Sequence, residues 1–79
     1  MKKKGKRSYY INEEALKNIG EKIREIRTQN QISQENLANE CEIDYSQINR
    51  MELGKVNFSI SNLYRIAKAL NVNPKELLG

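Results

Sequence analysis

The chain has 79 residues and a mass of 9.2 kDa, enough for one small domain and too little for two. Hydrophobic residues make up 38% and charged residues 30%, a balance typical of a soluble folded domain. The single cysteine forms no internal disulfide, and the absence of histidine excludes a zinc finger and removes the commonest general base. No apolar run resembles a membrane span or the core of a signal peptide. We expect a cytoplasmic protein that is not an enzyme and holds no metal or cofactor.

The positive charge is concentrated at the start of the chain. The formal charge is +4, but Met1–Tyr10 alone carries +5 and Ile11–Gly79 carries −1. This division predicts a basic, flexible N-terminal arm over residues 1–10 and one domain over 11–79. A basic arm of this kind is either a solvated tail or a segment that contacts phosphates, and charge alone does not distinguish the two.

Five positions along the domain have the pattern of a helix start. In each, an apolar residue precedes Asn, Ser or Asp, and another apolar residue follows four positions after the polar one; the polar residues are Asn12, Ser33, Asp44, Ser59 and Asn73. Such side chains cap the free N–H groups of a first turn, and the flanking apolar pair forms a hydrophobic staple. Gln47 and Glu76 complete two expected capping boxes, with Asp44 and Asn73 respectively.

The apolar residues between these starts recur at intervals of three and four, which is the period of a helix. Gly54 is expected to end the third helix in a left-handed conformation. The chain therefore predicts a compact all-α domain with helices near Glu13–Asn30, Gln34–Cys41, Tyr45–Leu53, Ile60–Leu70 and Pro74–Leu78.

The second and third predicted helices are joined by Glu42 and Ile43, with Asp44 as the cap. So short a connection forces a large crossing angle, as in a helix-turn-helix. If Ile48 and Met51 face the core, a rotation of about 100° per residue turns other positions of the third helix to the opposite side. These outward positions are Ser46 and Arg50, with Tyr45 and Asn49 on one shoulder.

The outward side chains offer a guanidinium fork, an amide, a hydroxyl and a phenol, all able to bond base edges in a major groove. Arg50 suits the two acceptors of guanine, and Asn49 suits the donor and acceptor of adenine. The alternative is an ordinary solvated polar face.

Several runs together resemble the Cro/phage-repressor (Xre-type) helix-turn-helix family. They are Ser33–Ala38, Ile43-Asp44, Ile48, Met51–Lys55, and Leu63 with Ile66–Val72, within a likeness that covers about Ile19–Leu78. The resemblance implies a five-helix, lambda-repressor-like domain that binds operator DNA, usually as a dimer, with the third helix in the major groove.

The resemblance also implies roles for individual residues. It makes Tyr45, Ser46, Asn49 and Arg50 base-reading positions. It makes Gln34 a phosphate anchor and places Gln47, Lys55 and Asn57 beside the DNA backbone. It pairs Arg27 with Glu52 as a scaffold ion pair that joins the first helix to the end of the third.

Two positions depart from the family pattern. Glu42 stands where glycine is usual in the turn, so it must adopt a left-handed or strained backbone. The stretch Val56–Ser59 lacks the proline often found before the fourth helix. Cys41 shares a face with apolar neighbours, and we interpret it as core filler.

The predicted function is a sequence-specific, double-stranded-DNA-binding transcriptional regulator that binds a near-palindromic operator as a homodimer. The expected dimer seam is formed by Val72, Leu77 and Leu78, with Tyr64 as a further candidate. The last helix is too short to stand alone, so it docks either on its own fourth helix or on a second copy. Two other functions stay open: a protein-interaction module, such as an antitoxin component that docks a partner protein, and RNA binding through the basic arm.

Overall fold

The computed structural model describes residues 12–57 and 59–78 and folds them into five helices. These are α1 Glu13–Gln29, α2 Gln34–Cys41, α3 Tyr45–Glu52, α4 Ile60–Leu70 and α5 Lys75–Leu78. The predicted all-α class is confirmed, and no helix boundary differs from its prediction by more than one residue. The basic arm and the stapling residues Ile11 and Phe58 lie outside the described residues.

Short polar side chains cap most of these helices as predicted. Asn12, Ser33 and Ser59 each accept a hydrogen bond from the backbone N–H three residues later, at 3.0–3.1 Å. At α5 the Asn73 N–H donates to Glu76 Oε2 at 3.3 Å. Each such cap is worth about 1 kcal/mol.

The capping box predicted at Asp44 is wrong. Asp44 is the N-cap of α3, but its side chain makes no capping hydrogen bond. Its φ of −55° is less negative than the values between −73° and −91° at the three bonded caps. The carboxylate can still favour the positive end of the α3 dipole.

The turn between α2 and α3 is built on a left-handed residue, as expected. Glu42 has φ 59° and ψ 42°, and the next N–H, that of Ile43, donates to Ala38 O at 3.1 Å. A residue with a Cβ pays about 1–2 kcal/mol for this conformation. The left-handed turn position is therefore occupied by a residue other than glycine, at a cost in stability.

One core joins all five helices. α3 packs between α1 and α2, α2 also packs against α4, and α5 packs on α1. The largest fully buried side chains are Ile23, Leu37, Ile48, Met51, Ile66, Leu70 and Leu77. Burying each such side chain contributes about 1.5–3 kcal/mol.

The docking of α5 corrects two expectations. Leu77 is buried in the core of its own chain, so it cannot form the predicted dimer seam, whereas Leu78 is exposed. Within the chain the main partner of α5 is α1, a docking site that was not among the expected ones. Among the described residues, no helix has both the length and the apolar character to cross a membrane.

Candidate nucleic-acid interface

The helix α3 has one buried side and one polar, solvent-facing side. Ile48 and Met51 are each 1% exposed and anchor the helix in the core. Tyr45 is 55% exposed, and Ser46 and Arg50 are exposed beside it. Three of the four predicted base-reading residues therefore lie together on the solvent side of α3.

Asn49, the fourth, lies in a different environment. It is half-buried, and its Nδ2 donates to Gln34 Oε1 at 3.3 Å. Gln34, at the first position of α2, in turn donates from Nε2 to Glu52 Oε1 at 2.9 Å. Two of the predicted DNA-contacting amides, those of Gln34 and Asn49, are thus part of one partly buried hydrogen-bonded network.

The network is anchored by the pair that the resemblance indicates. Arg27 Nε donates to Glu52 Oε2 at 2.6 Å, and Arg27 Nη2 donates to Glu52 Oε1 at 3.0 Å. Arg27 Nη1 also donates to the backbone oxygen of Ile32 at 2.8 Å. The two charged side chains are only 11% and 3% exposed. This bidentate contact joins α1, the α1–α2 loop and the end of α3, and so fixes the orientation of the outward face.

The other predicted backbone-contacting residues are more dispersed. Gln47 is half-buried on α3, whereas Lys55 and Asn57 are exposed in the loop that follows it. The loop leaves α3 through Gly54, whose φ is +72°, as predicted. Its path is fixed by the Lys55 N–H, which donates to Arg50 O at 3.0 Å.

Two glycines bring α1 unusually close to the end of α3, and only Gly54 was singled out by the sequence pattern. A Cβ on Gly20 would lie 2.4 Å from Met51 O, and a Cβ on Gly54 would lie 2.8 Å from Lys17 Cα. Real side chains do not tolerate such distances, so both positions require glycine. Gly20 lies in the interior of α1, between the apolar residues Ile19 and Ile23. A glycine inside a helix often marks a close approach of another backbone, so this close contact could have been predicted from the sequence.

Lys17 and Arg24 were also missed. Together with Gln34 and Asn49 they line a cavity of about 490 Å³ between α1 and α3, and both basic residues are exposed. Their spacing of seven residues puts them on one face of α1. The exposed Glu21 lies between them and also lines the cavity, so the three side chains together carry only one excess positive charge beside α3.

Comparison with known proteins agrees with this geometry. A family profile described as helix-turn-helix matches residues 23–77, which is more than half of the chain. The chain belongs to the helix-turn-helix family. This helix-turn-helix protein is a sequence-specific DNA-binding regulator of transcription of the Cro/phage-repressor type, and it is not an enzyme.

Two relatives are named as control proteins. The chain is 45% identical over 61 residues to the control protein C.BamHI of Bacillus amyloliquefaciens, covering 76% of this chain and 75% of that protein. The crystal structure of the restriction-modification controller protein C.AhdI from Aeromonas hydrophila superposes with a TM-score of 0.77 at 39% identity, covering 78% of this chain and 94% of that one.

A third relative is less completely covered. A transcriptional regulator in the ATPase CF(0) region of Rhodospirillum rubrum is 41% identical over 54 residues. The match spans 68% of this helix-turn-helix chain and 50% of that protein.

Proposed function

We propose that this helix-turn-helix protein is a controller-type regulator that binds a near-palindromic operator as a homodimer, with α3 of each copy in the major groove. The observation that carries the proposal is the outward face of α3, where polar side chains lie opposite a buried apolar anchor. The similarity to two proteins named as restriction-modification or control proteins supports the controller role.

Base reading is assigned to the exposed residues of α3. The Arg50 guanidinium can donate two hydrogen bonds to guanine O6 and N7, and Ser46 and Tyr45 can bond neighbouring base edges. One good bidentate contact gives about 1–3 kcal/mol of discrimination. Asn49 is also assigned to this face, with its Nδ2 hydrogen-bonded to Gln34 Oε1.

Backbone contacts are assigned to residues around this face. Gln34 keeps one Nε2 hydrogen free for a phosphate, and Lys55 supplies a positive charge from the loop after α3. Gln47 and Asn57 lie beside these positions. The basic arm, Lys2–Arg7, is proposed to follow a groove or the phosphate backbone, which gives salt-dependent affinity without sequence preference.

The dimer seam is proposed to lie on α4 and the segment after it. Ile60 is 69% exposed and Tyr64 is 59% exposed, and with Val72 they line a largely apolar groove of about 760 Å³. Two copies that share one such patch form an isologous, two-fold contact. The two α3 helices of a dimer on DNA must lie about 34–36 Å apart, one turn of the duplex.

The reading role is tested by selecting bound duplexes from a random pool. The wild-type protein should select two inverted half-sites with centres about 10 base pairs apart. Arg50→Ala should lose the preference at one base pair in each half-site. Lys55→Ala should weaken all duplexes evenly and lower the salt slope by about one. Lys75→Ala, on the exposed part of α5, is the matched control and should change neither quantity. A wild-type protein that selects no sequence would refute the proposal.

Oligomeric state is measured by sedimentation, with and without the selected duplex. Tyr64→Asp should give monomers, because it buries a charge in the proposed seam. Leu78→Asp, which changes an exposed apolar residue on α5, should leave the dimer intact. A dimer that survives Tyr64→Asp but not Leu78→Asp would instead locate the seam on α5, and a monomeric wild type on the specific duplex would exclude the homodimer.

A further inference from the structure

The net charge of the domain conceals two regions of opposite sign. Residues 11–52 hold nine of the ten acidic residues and five basic ones, a net charge of −4. Residues 53–75 hold four basic residues and no acidic one, a net charge of +4. The second region contains all of α4, the one helix among the five described whose net charge is positive. A partner that binds α4 is therefore expected to be acidic.

The groove on α4 has the shape of a site for a helix. It is lined by Ile60, Tyr64 and Ala67, whose spacing of four and three places them along one side of α4. Val72 and Pro74, from the segment that follows α4, also line it. Because α4 has 11 residues, the side that it presents is about 16 Å long, or three turns. An amphipathic helix of similar length can lay its apolar side along such a surface, with anchors at the same spacing.

Two cations lie beside this apolar row. Arg65 and Lys68 are exposed and line the groove, and none of its described lining residues is acidic. Within residues 12–57 and 59–78, neither cation forms an ion pair with an acidic side chain. Arg65 Nη1 donates to Cys41 O at 3.4 Å, which holds the guanidinium group near the end of α2. The groove therefore combines an apolar surface with two positive charges that no acidic side chain of the described chain neutralises.

We propose that this groove is a docking site for an acidic, amphipathic helix of a partner protein. The apolar side of that helix covers Ile60 and Tyr64, which are 69% and 59% exposed in the free chain, and their burial favours binding. Its carboxylates meet Arg65 and Lys68 at the rim. Rim charges contribute less to the affinity than the buried apolar surface does, but they select the sign of the partner.

The inference rests on the proposed function in one respect, because the proposed dimer seam lies on the same groove. Two copies joined there bring Arg65 and Lys68 of each copy to one contact, and like charges disfavour such a contact. An acidic helix replaces this repulsion by attraction. The partner helix and the second copy exclude each other, so the partner dissociates the dimer and weakens its binding to an operator with two half-sites.

The experiment uses the whole chain and three synthetic peptides of about 14 residues, long enough for roughly 20 Å of helix. The first has leucines at a spacing of three and four on one side and glutamates beside them. The second replaces every glutamate by lysine, and the third has the composition of the first in an order without an apolar side. Fluorescence anisotropy of the labelled peptide measures binding at low salt, and sedimentation measures self-association. Thermal unfolding checks that each protein variant is folded.

The acidic amphipathic peptide should bind at least about tenfold more tightly than the lysine peptide, because each rim ion pair changes the affinity by up to about fivefold. Lys68→Gln should weaken this binding by up to about fivefold and strengthen self-association, because it removes one cation from each side of the seam. A merely structural effect would weaken both. Lys17→Gln, which removes an exposed cation of α1 outside the groove, is the matched control and should change neither. Excess acidic peptide should convert dimers to monomers.

Three results would overturn the inference and leave the proposed function standing. The first is equal binding of the acidic peptide and either of its controls, or binding that Lys68→Gln and Ile60→Ser both leave unchanged. The second is no binding at millimolar peptide; if Ile60→Ser then weakens self-association, the occupant of the groove is a second copy. The third is weaker self-association in Lys68→Gln, since an acidic side chain of the second copy would then meet Lys68.

Two further results separate this inference from the proposed function. A wild type that binds the acidic peptide but stays monomeric on its selected duplex would refute the homodimer and support the docking site. A dimer that persists with the peptide bound would move the seam away from α4, and it would contradict the mutual exclusion of the two occupants.

Discussion

Removing one charge from the buried Arg27–Glu52 pair should strongly lower the free energy of unfolding of the domain. In Glu52→Met the Arg27 guanidinium stays buried, with only the Ile32 carbonyl oxygen as partner. In Arg27→Met the Glu52 carboxylate keeps only the Gln34 amide. Breaking a buried pair from one side costs about 3–5 kcal/mol, because it leaves a charge without compensation.

This loss is large relative to the stability of the whole domain. The free energy of unfolding of a small domain is about 5–15 kcal/mol, so either single variant should lose roughly a fifth of it or more. The double variant Arg27→Met/Glu52→Met replaces both charges by apolar side chains of similar length. It should be more stable than the sum of the single losses predicts, by about 1–3 kcal/mol.

Urea unfolding followed by far-UV circular dichroism gives the four free energies of this double-mutant cycle. The exposed pair Lys22–Glu25, separated by 3.6 Å with side chains 41% and 57% exposed, is the matched control. Its cycle should give less than about 0.5 kcal/mol. Additive losses at Arg27 and Glu52, or single losses below about 1 kcal/mol, would refute the view that this pair is a buried anchor.

Three further predictions concern the close contact at Gly20, the left-handed turn at Glu42 and the ionisation of the buried Cys41. Gly20→Ala should lose about 1–2 kcal/mol, because overpacking against Met51 O outweighs the gain in helix propensity; Asn18→Ala, at an exposed site of α1, is the control, and an unchanged urea midpoint for Gly20→Ala would contradict the close approach. Glu42→Gly should raise the unfolding free energy by up to about 1 kcal/mol, because it relieves the left-handed backbone at φ 59°; a lower melting temperature would show that the turn depends on the Glu42 side chain. Burial, reinforced by the charge of Glu40, raises the pKa of the Cys41 thiol from 9.0 to about 11. The folded thiol should therefore resist alkylation, and stability should fall as pH rises from 9 toward 11, because the unfolded chain ionises first. Cys41→Ala should show a smaller fall, and an equal one would assign the effect to other groups.

The helices could be predicted from the sequence because their signals are local. A short polar residue at Ser33 or Ser59 and apolar residues at a spacing of three and four depend only on neighbours within two turns. Asp44 has the same local pattern, yet its side chain makes no cap. Asp44 directly follows the turn built on the left-handed Glu42, and the geometry of such a turn is not encoded in the spacing of polar and apolar residues.

Contacts between helices were harder to predict. The outward direction of Ser46 and Arg50 follows from a rotation of about 100° per residue once Ile48 is placed in the core. The hydrogen bond from Asn49 to Gln34 depends on the distance between α2 and α3, and a helical-wheel projection of one helix gives no such distance. The burial of Leu77 has the same origin, because a four-residue helix carries no signal for which neighbour it will meet.

The distribution of charge predicts that affinity and sequence selection come from different parts of this protein. Glu52 is the only acidic residue of α3, and Arg27 neutralises it inside the protein, so no unpaired acidic side chain lies on the reading helix. Most of the excess positive charge lies in the N-terminal arm, because residues 11–79 carry a net −1. Deleting residues 1–10 should therefore weaken all duplexes evenly and lower the salt slope, by up to about 0.9 for each of the five charges that neutralises a phosphate. The rank order of duplexes should stay the same. A changed rank order would mean that the arm itself reads sequence, and an unchanged slope would mean that it does not touch the DNA.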